Sequence, residues 1–578
     1  MSRKDLTPQE TIEKIEGILR GIGLTYTITS ELNNCDMFFS VRLEIHDNGF
    51  LVGANGKGMT RELALASGLA ELMERLQSRN GLKFWYSTKD YPEKAFIHEY
   101  LSDSDLEEPI KADFAEFANS RMYQYRIDYT NVKDNSKISV PNRLVNLVCG
   151  SNGLCAGNGK SEAIVQGACE IFERYIRKII SRDHIRCPYI RKEGLLRFPF
   201  YGKMRCVEEA GYIWELIDCS YNGRFPVVGL IILDRKKSRY AIALGSDVDF
   251  EISVERCITE LLQGHDLKQL SMHMRPIDFR VIENDDVDWQ VEKQSDYYDF
   301  VDNYISNHGK NPFYLFLETE RVKVPAIFRN FENNEDAFQY LLHILDANHL
   351  PLYYADFSYL GFPTYRVYIP RLSRVFEMKQ ESFAFIDNLK ENLSLMMRIS
   401  DLSDDEKQQL VENLVDYSQT YTNRRNAFNS ILFRFYGNKD FDFNYLYLDF
   451  VIALLYLSLR DYKKARMHYT RFFAERSLFE SSTANELLRV IYMYVSELAN
   501  DLKLDDIRIK GSVLFNRNTN QYVYEFIKKN KSLSIVYWPN CPNCESCSYR
   551  KECAYEEWKH LNIILREKQK NYYLRKVV

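Results

Sequence analysis

Long apolar runs are missing from this chain of 578 residues. The longest, such as Phe450–Leu457, fall well short of the roughly 20 residues that a membrane-spanning helix requires. The opening stretch MSRKDLTPQE is charged where a secretory signal needs an apolar segment, so a cytoplasmic protein with no membrane partner is expected. An excess of positive charge is missing too. The formal net charge of −5 gives no bulk attraction to nucleic acid, and no direct nucleic-acid contact is expected. The ten histidines are scattered without ligand spacing, which leaves no imidazole metal site and no Ser-His-Asp triad to nominate. Eight of the 12 cysteines are scattered as well, so the chain does not read as a disulfide framework.

What is present is concentrated in Ser151–Arg174, SNGLCAGNGKSEAIVQGACEIFER. It reads as a Gly-rich turn feeding a helix, with Ser161 as N-cap and a helix start able to hold an anion. Glu162, Gln166, Glu170 and Glu173 follow at spacings of four, four and three, so they share one face. That face is unusual for a solvated helix, because Ile164, Val165, Ala168, Ile171 and Phe172 between them are apolar. Asn55–Arg75 (NGKGMTRELALASGLAELMER) repeats the arrangement at an offset of 99 (170 − 71), with Glu71, Glu74 and Arg75 on Glu170, Glu173 and Arg174. Gly58, Ala64 and Gly68 fall in the same way on Gly157, Ala163 and Gly167. Gly245–Gln263 (GSDVDFEISVERCITELLQ) places Arg256 and Glu260 one helical turn apart after another glycine. Three helices are therefore expected to contribute to one polar site.

Four carboxylates converging in a half-dry site would repel one another and hold protons unless a cation neutralised them. Oxygen-only donors suit a hard ion such as Mg²⁺, commonly shared with phosphate oxygens, and Lys57, Arg174 and Arg256 would face those phosphates. The alternative is two amphipathic helices whose glutamates pair with arginines at the surface; repetition alongside the glycines favours the first.

The three stretches together resemble the YcaO family: ANGKGMTRELALASGLAELMER its first signature, SNGLCAGNGKSEAIVQGACEIFER its second and SVERCITELLQG its third. The resemblance runs to about Met378. It implies a fold of that family's own that binds ATP, with Mg²⁺ held by Glu71, Glu74, Glu170 and Glu173. It also implies that Lys57, Asn158, Glu162, Gln166, Arg174, Arg256 and Glu260 contact nucleotide or support those contacts. Lys4 and Thr11, in RKDLTPQETIEKI, match an N-terminal Lys and Ser that touch nucleotide in relatives. Cys155 takes a cofactor-contact position where those relatives usually have Ser, and its thiol is a weaker hydrogen-bond partner than a hydroxyl.

Length alone argues for two or three domains. An amphipathic helix over 9–23 is followed by strands at Thr25–Thr29, Met37–Ile45, Lys137–Leu147, Ile213–Ile217, Phe225–Leu233, Tyr240–Leu244, Leu352–Asp356 and Tyr365–Ile369. After about Glu377 the pattern turns helical, over Phe383–Arg398, Asp404–Thr422 and Tyr445–Phe473. The expected fold is α+β: a YcaO-type layered α/β ATP-binding core (1–378), an all-helical C-terminal domain (379–535) and a Cys-rich tail (536–578). Ile452–Phe473 resembles one tetratricopeptide hairpin, with Tyr462 and Ala465 at packing positions. It reads equally as a docking or dimerisation module and as a helical bundle that only buttresses the core, and a homodimer is expected.

The tail carries Cys541, Cys544, Cys547 and Cys553 in CPNCESCSYRKEC, spacings that let four sulfurs reach one tetrahedral ion. Structural Zn²⁺ is the first expectation, an iron–sulfur cluster the second and free thiols the third. For the core, the family resemblance implies ATP-driven activation of a peptide-bond oxygen, completed by a nucleophile from substrate or partner to give an azoline, a thioamide or an amidine. A peptide or protein substrate is implied, with a modifying enzyme or sulfur donor as partner. Azoline-forming members often end in a Pro-rich segment, whereas this chain ends YYLRKVV. The helical region instead resembles stand-alone members, some of them accessory factors for β-methylthiolation of a ribosomal protein.

Overall fold

The structure, a computed structural model, describes residues 3–46, 50–78, 100–101, 113–114, 125–183, 185–276, 320–375, 392, 395–396, 398–420, 448–476, 482–535, 544–546 and 555–577. The chain divides into two compact units. One comprises Met1–Trp85, Pro92–Glu377 and Glu557–Val578, the other Tyr86–Tyr91 and Met378–Glu556.

The first unit opens with helix α1 (Pro8–Gly21). Thr7 and Glu10 form a reciprocal cap at its start, Pro8 occupies its first turn, and Ile12, Ile15 and Leu19 point inward. Strands β1 (Thr27–Asn34), β2 (Phe38–His46) and β3 (Phe50–Gly58) follow as an antiparallel sheet in that order, and helix α2 (Arg61–Ser78) folds back onto β2 and β3. The glycines of Asn55–Gly58 therefore do not form a turn. They end β3, with Lys57 opposite Ser40 on β2, and the chain turns only at Met59 and Thr60. Their smallness serves close packing: a Cβ on Gly56 would meet the Ala64 carbonyl oxygen at 1.9 Å.

A second, six-stranded sheet is assembled from distant segments. It contains β4 (Tyr100–Leu101), β5 (Tyr125–Asn131), β6 (Lys137–Val140), β7 (Leu154–Ala156), β12 (Tyr353–Asp356) and β13 (Thr364–Tyr368) in the order β4-β5-β12-β13-β7, with β6 on β5. The strand expected over Lys137–Leu147 stops at Val140, because Pro141 has no N–H to donate and the chain enters helix α3 (Asn142–Cys149). Leu144, Val145, Val148 and Cys149, all buried, follow helical rather than alternating spacing. The third sheet has β8 (Ile213–Asp218), β9 (Val227–Asp234), β10 (Arg239–Ser246) and β11 (Arg275–Pro276) in the order β11-β10-β9-β8.

The long helix α4 (Lys160–Arg182) follows β7, and α5 (Phe250–Leu261) follows β10, as α2 follows β3. These three strand–turn–helix units close a ring. Helix α2 packs on its own sheet and on β7 and β13 of the second; α4 packs on β7 and β13 and on β9 and β10 of the third; α5 packs on β9 and β10 and on β2 and β3 of the first. Each strand–helix crossing has a small residue on at least one side. Gly56 faces Gly68, Cys155 faces Gly167, and Gly245 faces Cys257, so the third unit lies at an offset of 189 (245 − 56) from the first. Helix α6 (Asn334–Ala347) packs along α4.

The second unit is helical throughout its described residues: α7 (Asp404–Thr420), α8 (Leu448–Ser458), α9 (Tyr462–Arg476), α10 (Ser482–Leu498), α11 (Leu504–Leu514) and α12 (Arg517–Lys528). Every residue of α8 is buried. The α8–α9 hairpin turns at Arg460, whose φ is +61°, with Ala465 enclosed and Tyr462 against the core. Helix packing continues past this hairpin, from α9 to α10 and from α11 to α12. Most of the Phe383–Arg398 segment lies outside the described residues. Helix α13 (Tyr555–Val577) contributes to the first unit from Glu557 onward, where Tyr572 Oη donates to Asp356 Oδ2 at 3.1 Å. No helix among the described residues is long and apolar enough to cross a membrane.

A methyl group on Gly167 would sit 2.9 Å from Cys155 Sγ. Gly167→Ala is expected to destabilise the first unit by about 1–3 kcal/mol through overpacking. Adding Cys155→Ala should recover part of that loss, as read by thermal unfolding.

Candidate functional site

Lys57, one residue before the end of β3, stands where the three units meet. Its Nζ is paired with Glu260 of α5. Burial pushes its ammonium down to about 8, while Glu173 and Glu170 of α4 and Glu71 of α2 pull the other way. With 29% of its side chain still exposed, Lys57 is only partly enclosed. On α4 the open positions follow one stripe: Gln166, Glu170, Glu173, Arg174 and Arg177 are half-buried, while Ala163, Ile164, Val165, Ala168, Cys169, Ile171 and Phe172 are enclosed. On α2, Glu71, Glu74 and Arg75 are half-buried in the same way.

Burial pushes the Glu74 carboxyl up to about 8, with Glu170 and Glu71 adding to the effect and Arg75 and Arg366 opposing it. Burial raises Glu170 as well, and Glu173 adds to the shift. The carboxylates turn to guanidinium groups one helical turn away. Glu71 pairs with Arg75 and accepts from the Asn55 backbone N–H at 3.0 Å; Glu170 pairs with Arg174; Glu173 lies 3.5 Å from Arg177 Nη2. In this arrangement no three Asp, Glu, His or Cys groups gather on one centre among the described residues. These are the glutamate–arginine pairs of the amphipathic alternative, but the Glu170–Arg174 pair is only 26% and 21% exposed rather than on a surface. An oxygen-only donor set, in which burial already penalises the charge, fits a hard divalent ion, and Lys57, Arg174 and Arg256 supply cationic donors for an anionic ligand beside it.

The start of α4 is held by the opening segment of the chain. Lys4 Nζ pairs with Glu162 Oε1 at 2.9 Å, and the Asp5 backbone N–H donates to Glu162 Oε2 at 3.1 Å. Asn158 Nδ2 donates to Thr11 Oγ1 at 3.0 Å. The structure thus brings Lys4, Thr11, Asn158 and Glu162 together. Ser161 is not the N-cap. Gly159 takes that position without a side-chain bond, its Cα set against the Asp5 carboxylate, and Ser161 Oγ donates to Glu335 at 2.6 Å.

Cys155 is enclosed between β7 and α4, with its Sγ 3.5 Å from the Tyr365 carbonyl oxygen, and burial pushes its thiol well above the ordinary range. Its counterpart in the first unit is Gly56, so the thiol occupies packing space at the strand–helix crossing. Of the tail cysteines, Cys541, Cys547 and Cys553 lie outside the described residues, and Cys544 begins a single 3₁₀ turn. The ring centroids of His265 and His273 lie 4.4 Å apart beyond α5, the rings tilted by 36°.

Two residues were not singled out from the sequence. Asp247 carries a 3% exposed carboxylate in the β10–α5 turn, and a signal for it existed in GSDVD. Asp249 is the N-cap of α5, accepting from Glu251 and Ile252, while Asp247 Oδ1 accepts from the Asp249 backbone N–H at 3.1 Å. Arg366 is 1% exposed within β13. It donates to the Gly150 carbonyl and to Asn146 Oδ1 at the C-terminal end of α3, where a cation is favoured, and its mark in the sequence is one Arg inside TYRVY.

The profile of the family described as YcaO cyclodehydratase, ATP- and Mg2+-binding, matches residues 55–373, more than half of the chain. An uncharacterised protein of Haemophilus influenzae is 27% identical over 397 residues, 61% of this chain and 64% of that protein. The ribosomal protein S12 methylthiotransferase accessory factor YcaO of Escherichia coli is 26% identical over 385 residues, 62% of this chain and 63% of that protein. The chain therefore spans somewhat under two thirds of the length of these relatives. Among solved structures, YcaO from Methanopyrus kandleri bound with AMPPCP and Mg2+ is 17% identical with a TM-score of 0.41, covering 64% of this chain and 91% of that one.

Burial raises the thiols of Cys155, Cys169 and Cys257, whereas Cys35 is exposed. Iodoacetamide applied to the folded protein at neutral pH is expected to label Cys35 and spare the other three, as read by peptide mass spectrometry.

Proposed function

The chain belongs to the YcaO family, and on that premise we propose that it binds ATP with Mg²⁺ in the Lys57 cleft and uses it to activate a backbone amide of a peptide or protein. The convergence of three strand–turn–helix units on Lys57 carries this reading, because it sets carboxylates and cationic donors around one partly exposed position. Glu71, Glu74, Glu170 and Glu173 would hold Mg²⁺. Lys57, Arg174 and Arg256 would face the phosphates, with Lys4, Thr11, Asn158, Glu162, Gln166 and Glu260 contacting the nucleotide or supporting those that do.

Bound ATP supplies the phosphoryl group that turns the amide oxygen into a leaving group. The nucleophile comes from the substrate or a partner, which accords with a cleft whose nearby thiols are enclosed. A side-chain hydroxyl or thiol gives an azoline, sulfide a thioamide and an amine an amidine, with ADP and phosphate released. The chain's own residues position the reactants and meet the developing phosphate charge in a partly dehydrated setting, where fixed donors act more strongly than in water.

The printed name of the Escherichia coli relative favours a second reading, that of a nucleotide-binding accessory factor whose helical unit docks a modifying enzyme. Substrate-stimulated release of ADP and phosphate supports the first reading; tight ATP binding without turnover supports the second. For the tail, we propose a structural ion held by Cys541, Cys544, Cys547 and Cys553, with zinc ahead of an iron–sulfur cluster.

Glu71→Gln and Glu173→Gln are each expected to weaken Mg²⁺-dependent ATP binding by about tenfold, about 1.4 kcal/mol, in isothermal titration. Unchanged affinity in both variants, with folding intact, would remove the carboxylates from the site. Cys544→Ser is expected to lose about one metal equivalent by elemental analysis of anaerobically purified protein while ATP affinity stays as in the wild type. Metal content unaffected by that substitution would overturn the tail assignment.

A further inference from the structure

Two arginines compete for one enclosed carboxylate beside the cleft. Arg3 Nη2 donates to Asp247 Oδ1 at 2.8 Å, with the two side chains 7% and 3% exposed. Arg256 Nη2 stands 3.6 Å from Asp247 Oδ2, outside hydrogen-bond reach, and keeps 28% of its side chain exposed. Arg3 is anchored a second time: its Nε donates to Asn334 Oδ1 at 3.2 Å, and Asn334 Nδ2 donates to Asp5 Oδ1 at 2.6 Å. Asp5 and Lys4 in turn hold Glu162 on α4. Residues 3–5 therefore tie the second strand–turn–helix unit to the third, and the tie ends on the carboxylate nearest Arg256.

A buried carboxylate draws in the guanidinium groups within reach, and a charge-assisted hydrogen bond to one of them reduces its pull on the other. Arg3 takes the side-chain hydrogen bond, on Oδ1 beside the Asp249 backbone N–H at 3.1 Å, while Arg256 faces Oδ2. Arg256 is left held near the cleft by charge, with its donors unspent on Asp247. Without Arg3, the carboxylate would keep its backbone donor but lose its hydrogen-bonded cation, and its uncompensated charge would draw Arg256 into a direct pair, away from a ligand. The arrangement around Arg3 is also incomplete, because its Nη1 is buried with no partner. We propose that Arg3 is a positioning residue for the nucleotide, occupying Asp247 so that Arg256 stays free to donate to a phosphate. The inference rests on the nucleotide reading above and adds to it a residue outside the three family signatures.

The test is a double-mutant cycle on the full chain, with ATP affinity measured by titration calorimetry in the presence of Mg²⁺. Arg3→Gln and Arg256→Gln are each expected to weaken ATP by about tenfold, and the double variant to bind no worse than Arg256→Gln alone. Arg3→Lys keeps a cation on Asp247 and should recover most of the affinity, which a role in folding alone does not predict. Should Arg3→Gln unfold, Asn334→Ala carries the test: it frees Arg3 from its second anchor with every charge retained, for an expected loss of about threefold that vanishes in the Arg256→Gln background. Wild-type affinity in Arg3→Gln, or losses that multiply in the double variant, would overturn the inference while leaving the nucleotide site standing. A wild-type protein that binds no ATP would overturn the nucleotide reading and this inference with it.

Discussion

Like-charged carboxylates held half-buried against one another are the constraint to which the first unit conforms. Glu71, Glu74, Glu170 and Glu173 lie on two helices whose other faces are packed, so full hydration cannot stabilise them. The protein meets the repulsion in two ways. Each of Glu71, Glu170 and Glu173 has an arginine one turn along its own helix, and Lys57 enters from a neighbouring strand and pairs with Glu260 on a third element. Glu74, with its carboxyl pushed up to about 8, is the member least compensated by local pairs. A cation shared among these oxygens would complete what the arginines begin.

Bringing those side chains together is a problem of backbone approach. A helix lies close to a strand only where neither contributes a bulky residue, and at each of the three crossings at least one partner is glycine and the other is glycine or cysteine. Each helix then bridges its own sheet to the next, and the third returns to the first. The ring fixes where the half-buried stripes can face. That is why a glycine pattern and a glutamate pattern recur together in this sequence.

Much of this was legible in advance. The offset between the first two units, the carboxylate face of α4 and most of the strands from Ile213 to Ile369 could be read directly, because period and repetition are local properties. The places where reading failed have separate physical causes. Gly58 looked like a turn residue and is a strand residue kept small by the helix that follows it; Lys137–Leu147 looked like one strand and is broken by Pro141; Ser161 looked like a cap and gave that place to Gly159, against which Asp5 packs. In the third case a partner distant in sequence decided the outcome, and local propensity does not encode distant partners. Asp247 and Arg3 escaped notice for the same reason, since they are more than 240 positions apart and have meaning only as a pair.

The return of α13 to the first unit bears on the order in which the molecule is made. The segments flanking Met378–Glu556 belong to one compact body, so the helical unit is hosted between two parts of the core rather than appended to it. Its synthesis must be finished before residues such as Tyr572 exist to meet Asp356. Bringing the ends of so long a loop together costs conformational entropy that grows only slowly with length, and a loop that has already folded brings its ends closer than a slack one. Assembly of the core is in this sense bracketed by the ribosome: most of its sheets are available early, and its last helix arrives only after an entire second body has been translated.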